Sequence, residues 1–386
     1  MSGSVLPDYE AAFASTVGAG HAFGSWKGRV ALYSLLRALN IGEGDEVVLP
    51  GYTCVMAVNP IMYVGAKPIF VDIEPDTYNM DPNQIEDKLT PRTKLIIAQH
   101  TYGYPADIDA IMDIAARKGL PMIEDCCLAL GSTYRGRMVG TFGLAAYYSF
   151  QWNKPYTSGI GGMAVTSDRE LADRIRQVSE TELVKPTLKK VCLLTMQLAV
   201  YRALIYPKTT TLAQNVFRWL VSKGLLVGSM SDKELLPVME DDFLTRMSRV
   251  QARSGHRQLR KISRILDHRR EMRRVYDRLL MERGWPVTSI PDRTDPILVR
   301  YPVRVADKEA ALSTAARHFV ELGSWFECPL HPAATRMDAY GYRPGMCPEA
   351  ERASREVVNL PLHPRAGVAT ARRSVDFVVS IGAATR

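Results

Sequence analysis

The chain has 386 residues, 46% hydrophobic and 23% charged. That much apolar material supports a sizeable core and excludes a disordered or fibrous chain, and the length points to two or three domains. The formal charge of +8 reads as a solvated basic surface or, functionally, as a preference for anionic partners; no nucleic-acid motif goes with it and the bases are not interleaved with aromatics, so no nucleic-acid partner is expected.

The six cysteines (Cys54, Cys126, Cys127, Cys192, Cys328, Cys347) lack metal-ligand spacing, and no metal is expected. The N-terminus shows no secretory leader pattern, so the expectation is a cytoplasmic protein with reduced thiols.

In chain order, residues 1–25 are small, polar and Gly-containing, and read as a loose N-terminal arm. Val30, Leu32, Leu35, Leu36 and Leu39 then fall at helical spacing from Gly28. The Gly24–Arg29 stretch thus sits at a helix N-terminus, where free N–H groups and the helix dipole seat a phosphate and Arg29 adds charge. Strands follow at 46–50, 68–72, 94–98 and 121–123, with helices at 55–63, 81–89 and 107–118 between them. Alternation with short loops predicts an α/β fold, a mostly parallel sheet flanked by helices. Its strand C-terminal ends share one edge, which brings together Tyr52, His100, Asp125 and the Ser149–Lys154 loop.

The stretch from Met122 to Gly162 carries the chemistry. Its first apolar run stops on Glu124 and Asp125; its second, Ala145 to Phe150, is followed by Lys154 in a Gly/Ser/Pro setting. An acid after one buried strand and a lysine after another suit a cofactor with a cationic ring nitrogen and an aldehyde, such as pyridoxal 5'-phosphate (PLP).

Beyond a charged helix at 167–182 comes a segment from Lys185 to Ser231, apolar, flanked by bases and too short in its apolar runs to span a bilayer. Two readings stand: a helical insertion packed on the body or on a partner subunit, and an amphipathic pair making peripheral contact with an anionic membrane at the inner face. Residues 246–282 read as a long basic helix, in one piece or two joined near Gly255, and strand 297–303 with helices 308–322 and 352–359 as a small α+β unit. The expected organisation is an arm at 1–25, a large domain at 26–245 with an insertion at about 185–235, a bridging helix at 246–284 and a small C-terminal domain at 285–386.

These blocks together resemble the DegT/DnrJ/EryC1/StrS family of sugar aminotransferases. The resemblance runs through GEGDEVVLPGYT, GAKPIFVDIEPDTYNMDP, TKLIIAQHTYGYPADID, GLPMIEDCCLALGSTYRGRMVGTFG, SFQWNKPYTSGIGGM and AERASREVVNLPLHP, most of the chain. It implies the aspartate-aminotransferase-like PLP fold type I and a homodimer with its active site at the interface. It implies Lys154 as the Schiff-base lysine, Asp125 as partner of the pyridine nitrogen, Ser149 as phosphate ligand, and Gly28 and Arg29 at the phosphate-seating turn. Glutamate is the implied amino donor and a nucleotide-linked keto-sugar the implied acceptor. The chain departs from the family pattern at Leu128, where Gln is common near the cofactor, and at Cys54, where an aromatic stacks on the ring; Tyr52 or His100 stand as substitutes. Ile160 and Leu244 also replace the usual Glu and Asn. Besides amino-sugar formation, transamination or dehydration of a cyclitol or other ketone, and a non-catalytic regulatory role, remain as alternatives.

Overall fold

A computed structural model describes residues 5–152, 154–201 and 232–382. It opens with α1 (Val5–Val17), β1 (His21–Ser25) and α2 (Gly28–Ala38). Next come β2 (Glu46–Pro50), β3 (Thr53–Cys54), α3 (Val55–Tyr63), β4 (Lys67–Val71), β5 (Thr93–Gln99), α4 (Ile108–Lys118) and β6 (Met122–Asp125). The short β7 (Thr133–Tyr134) and β8 (Arg137–Met138) precede β9 (Ala145–Ser149), β10 (Gly162–Thr166), α5 (Arg169–Thr181) and α6 (Leu188–Val200).

Seven strands form the central sheet in the order β1-β10-β9-β6-β5-β2-β4. From β9 to β4 the neighbours run parallel, while β10 is antiparallel to both β9 and β1. Successive side chains of a strand point to opposite faces, so a sheet covered on both sides reads as continuous apolar runs. Val47, Leu49, Leu95, Ile97 and Ile123 enter one core, and Val48, Ile96, Ala98 and Met122 enter the other. Each fully buried Val, Leu or Ile contributes about 1.5–3 kcal/mol. The first core continues into the C-terminal part of the chain through Tyr276, Tyr301, Val358 and Leu360.

Several elements differ from the sequence reading. The N-terminal residues are not a loose arm: α1 buries Tyr9 and Phe13 completely, because Val5, Tyr9, Phe13 and Val17 repeat every four residues along one helical face. The expected helix at 81–89 is two 3₁₀ turns, Pro82–Gln84 and Glu86–Lys88, although Asp81 does cap the first by accepting from the Asn83 N–H. The long basic helix breaks at Arg260–Lys261 into Arg249–Leu259 and Ile262–Met281. Gly255 is no hinge; it lies inside the first helix, where a Cβ would come within 2.5 Å of the Tyr9 ring. The C-terminal strand is only Tyr301–Arg304, the next helix ends at Arg317, and the last reading, 352–359, divides into a helix, Pro348–Glu356, and a strand, Val357–Leu360. Of the 185–231 segment, residues 202–231 lie outside the described residues. Among the described residues no helix is long and apolar enough to cross a membrane.

Candidate active site

The sheet register builds the site. Gln99 pairs with Asp125 across β5 and β6, Asp125 with Tyr147 across β6 and β9, and Ser149 with Gly162 across β9 and β10. The two-residue period of β9 puts Tyr147 and Ser149 on one face. A cavity of about 250 Å³ opens here and is lined by Asp125, Tyr147, Ser149 and Lys154 together with Gln99 and residues within 27–29, 53–57 and 325–332.

Asp125 lines the cavity. Its Oδ1 accepts the Cys127 N–H at 2.9 Å and its Oδ2 accepts the Tyr147 hydroxyl at 2.6 Å. Burial, then the Asp125 charge, push the Tyr147 phenol far above its usual pKa, so it stays a donor. Two donors fix the carboxylate, and each oxygen keeps further acceptor capacity.

Lys154 reaches in from the loop after β9, its backbone N–H bonded to the Gln151 carbonyl at 3.0 Å. Its Nζ lies 5.0 Å from the centroid of the Trp325 ring. Burial pulls the ammonium pKa down; Cys127, Cys54 and Asp125 oppose this, and Arg300 adds to it. A lowered pKa raises the fraction of neutral amine, the form that attacks carbonyls and takes protons.

The start of α2 also lines the cavity. Its N-cap, Lys27, is extended and supplies no side-chain cap to the first N–H groups. A Cβ on Gly28 would sit 2.8 Å from Ser149 Cβ, and one on Gly162 would sit 2.4 Å from Gly28 Cα. The two glycines therefore let the helix start press against β9 and β10, beside the Ser149 side chain. Uncapped N–H groups, the positive helix end and a hydroxyl make an anion seat.

Arg29 lines the cavity, but its charge is answered within the chain. Its Nε pairs with Glu234 Oε1 at 2.9 Å, and its guanidinium also contacts Met56 Sδ. Cys54 and Leu128 are wall residues as well.

Two expected residues are not in the wall. Tyr52 is fully buried and hydrogen-bonds the Tyr102 hydroxyl at 2.9 Å, its ring packed on Phe326 and Tyr78. His100 lies in the core: its Nδ1 accepts the Ala106 N–H and its Nε2 meets Glu124 Oε2 at 3.1 Å. Neither ring can take the place left by Cys54. His100, Glu124 and Cys126 bring three metal-type ligand atoms within 4.8 Å of one another. Glu124 there already accepts the N–H groups of Gly140, Phe142 and Gly143, so its oxygens are committed to the loop.

Sequence reasoning missed the wall built by Trp325, Phe326, His331 and Pro332. It reaches the site because Leu330–His331 pairs in parallel with Thr53–Cys54. The one local signal was the run Trp-Phe-Glu-Cys-Pro-Leu-His-Pro at 325–332. Burial lowers the His331 pKa to about 4, against the pull of Glu327, and keeps the imidazole neutral.

The profile of the DegT/DnrJ/EryC1/StrS aminotransferase family matches residues 1–199 and 230–379. The chain belongs to this family. It is 45% identical to the GDP-perosamine synthase of Escherichia coli O157:H7 over 172 residues, 45% of this chain and 47% of that protein. It thus spans about half the length of the first curated relatives it matches. A pleiotropic regulatory protein of Geobacillus stearothermophilus is 30% identical over 93% of this chain and 86% of its own. Among solved structures, DesV of S. venezuelae superposes with a TM-score of 0.75 at 27% identity, covering 98% of this chain and 89% of that one. Family members of this fold are PLP fold-type I proteins, and PLP is their cofactor.

The residues present fit that cofactor. The cavity offers an amine with depressed pKa, a fixed carboxylate and, at the start of α2, an anion seat that Gly28 lets pack against β9.

Proposed function

We propose that this chain is a PLP-dependent aminotransferase that carries an amino group to a keto-sugar, nucleotide-linked, in amino-sugar or natural-product biosynthesis. The observation that carries this reading is that Lys154, Asp125 and the start of α2, whose N-cap residue supplies no side-chain cap, line one cavity. When bound, the cofactor supplies an aldehyde to receive the amino group and a ring that absorbs the electron pair released at the substrate carbon.

The remaining work belongs to the chain. Lys154 anchors the cofactor and then, as a free amine, takes a proton from the substrate carbon and returns it. Asp125, oriented by the Cys127 N–H and the Tyr147 hydroxyl, is the counter-charge to a protonated ring nitrogen. The N–H groups of Gly28 and Arg29 and the Ser149 hydroxyl hold the phosphate. Cys54 and Leu128 give an apolar wall that limits water near the amine.

L-Glutamate is the proposed donor. The acceptor class draws support from relatives whose names specify GDP- and UDP-linked sugars. One relative, 41% identical over 158 residues, is named L-glutamine:2-deoxy-scyllo-inosose aminotransferase, which keeps a cyclitol ketone as second acceptor class. We also infer a cytoplasmic homodimer. Exposed Val184, Leu188, Met196 and Val200, with Leu236 and Val238, offer apolar surface for a second subunit. Peripheral membrane contact through 185–231 is the competing use of that surface.

The test is nitrogen transfer. Purified protein should carry a visible cofactor band, and ¹⁵N from glutamate or glutamine should appear in one member of a panel of nucleotide-linked keto-sugars and cyclitol ketones. A colourless protein that moves no label would sink the proposal.

A further inference from the structure

Two cations flank Gly28 at the start of α2, and both of them, Lys27 and Arg29, line the cavity. Their side chains are 11% and 2% exposed. Cations this far from water need acids beside them. Glu234, fully buried, stands 2.9 Å from Arg29 Nε and 3.7 Å from Lys27 Nζ, and Glu240 stands 3.4 Å from Lys27 Nζ. Among the described residues, two cations thus face two carboxylates, and the cluster is balanced from within the chain. A cofactor phosphate carries about two negative charges and enters in competition with these acids.

The pairs are unequal. Arg29 holds Glu234 at the distance of a charge-assisted hydrogen bond, whereas Lys27 stops short of both carboxylates. Burial, then the neighbouring Arg29 charge, lower the Lys27 pKa, and Glu234 and Glu240 oppose this. Glu234 itself is fixed by its backbone. Its carbonyl accepts the Asn59 side-chain amide at 2.9 Å, and the Tyr340 hydroxyl lies 3.1 Å from that carbonyl and 2.7 Å from Asn59 Oδ1. Asn59 and Tyr340 are buried as well. The parts free to move are therefore the two long cationic side chains, not the acid they share.

We propose that Glu234 is a built-in competitor for the cofactor phosphate: it holds Arg29 until the phosphate takes the guanidinium, and Lys27 then closes on Glu234. The guanidinium fork suits phosphate oxygens, and the ammonium, a point charge on a flexible stem, suits the swing. A buried carboxylate deserted by its cation is costly, and the approach of Lys27 keeps it answered. Lys27 is thus a positioning residue that acts through Glu234, and the chain holds the phosphate less tightly than its donors alone would. The inference rests on the PLP reading of the same cavity.

The test uses the full chain, stripped of cofactor, in phosphate-free buffer, so binding is read without turnover. The probes are PLP, followed by its visible band, and inorganic phosphate, titrated by calorimetry. Pyridoxal, which has the aldehyde but no phosphate, is the control. Glu234→Gln should bind both phosphate probes about tenfold more tightly than wild type, with pyridoxal within about twofold. Glu234→Met removes the same charge and should do likewise, in case the amide variant fails to fold. Lys27→Met should weaken both phosphate probes by about tenfold, but by less than about threefold beside Glu234→Gln, where no carboxylate is left for the lysine to take over. Phosphate affinity that is unchanged or weaker in the Glu234 variants overturns the proposal. So does an equal loss from Lys27→Met in both backgrounds, which would put Lys27 on the ligand. A wild type that takes up pyridoxal but neither phosphate probe also overturns it; if neither PLP nor pyridoxal is taken up, the PLP reading of the cavity falls and the proposal with it.

Discussion

Glu124 and Asp125 are consecutive residues of β6, both buried, and they have opposite surroundings. Glu124 meets His100 and three backbone N–H groups, which tie the 140–143 turn to the sheet. Burial pushes its pKa up, but His100 and the N–H groups of Gly143 and Gly140 outweigh burial, and the carboxyl ends below its usual range. Asp125 has two donors and an open cavity in front of it. A saturated buried acid is scaffold; an unsaturated one beside an amine is available for chemistry. The one-residue step between them reverses the face of the sheet and with it the role.

The largest expected effect lies on the cavity side, at the amine. Lys154→Ala should cut kcat by about 10³-fold or more, because one group both anchors the cofactor and moves the proton. Among the described residues the cavity-side amine closes no hydrogen-bond network, so the thermal midpoint should hardly move. Turnover within tenfold of wild type would remove Lys154 from the mechanism.

Asp125→Asn should come next, at about a hundredfold in kcat. The amide oxygen still accepts the Cys127 N–H, and its NH₂ can donate to the Tyr147 hydroxyl, so the fold should survive. Glu124→Gln is the counterpart on the other face. Its NH₂ would meet N–H donors on whichever side it turns, leaving at least one buried donor unanswered. That should cost about 2 kcal/mol of stability, with activity per folded molecule retained. Urea unfolding and kcat measured on both variants would separate the two acids. A Glu124 variant that is stable and inactive, or an Asp125 variant that is unstable and active, would reverse the assignment of roles.

Much of the cavity side was legible because it is local. Asp125, Ser149 and Lys154 lie within one stretch, and period-two apolar runs bounded by Gly and Pro place each at a strand end. The other face was not. His100 and Tyr52 also follow strand ends, but which way each ring turns depends on partners such as Glu124 and Tyr102, and no local pattern encodes those pairings. The same holds for Arg29, whose charge is met by Glu234 from a distant segment, and for Trp325 and His331, carried in by the β3 pairing. The helix α1 was legible in principle: its fourfold apolar spacing is present, but the small and polar residues between hide it.

The smallest predicted effect compares the two regions by pH. On the cavity side, burial holds His331 to about 4 in the folded chain, below the roughly 6.5 of an unfolded histidine. Above pH 6.5 it is neutral in both states and has no pH-dependent effect. As pH falls through 6.5 the unfolded chain takes the proton first, so stability should drop by about 1 kcal/mol by pH 5.5. Glu124 has the opposite kind of shift. Its depressed carboxyl stabilises the fold above the unfolded value near 4.3 and loses that contribution only as pH falls below it. The cavity wall should therefore weaken before the scaffold acid does. Glu10, raised by burial to about 7, changes stability in the opposite sense over the same window, so the difference between chains is what is read. Between pH 7 and 5 the urea midpoint of wild type should fall relative to that of His331→Asn as pH falls, while the difference between wild type and Glu124→Gln should stay level in that window. A His331→Asn difference that does not change with pH would place the titrating group elsewhere, and a changing Glu124→Gln difference would tie it to the scaffold face.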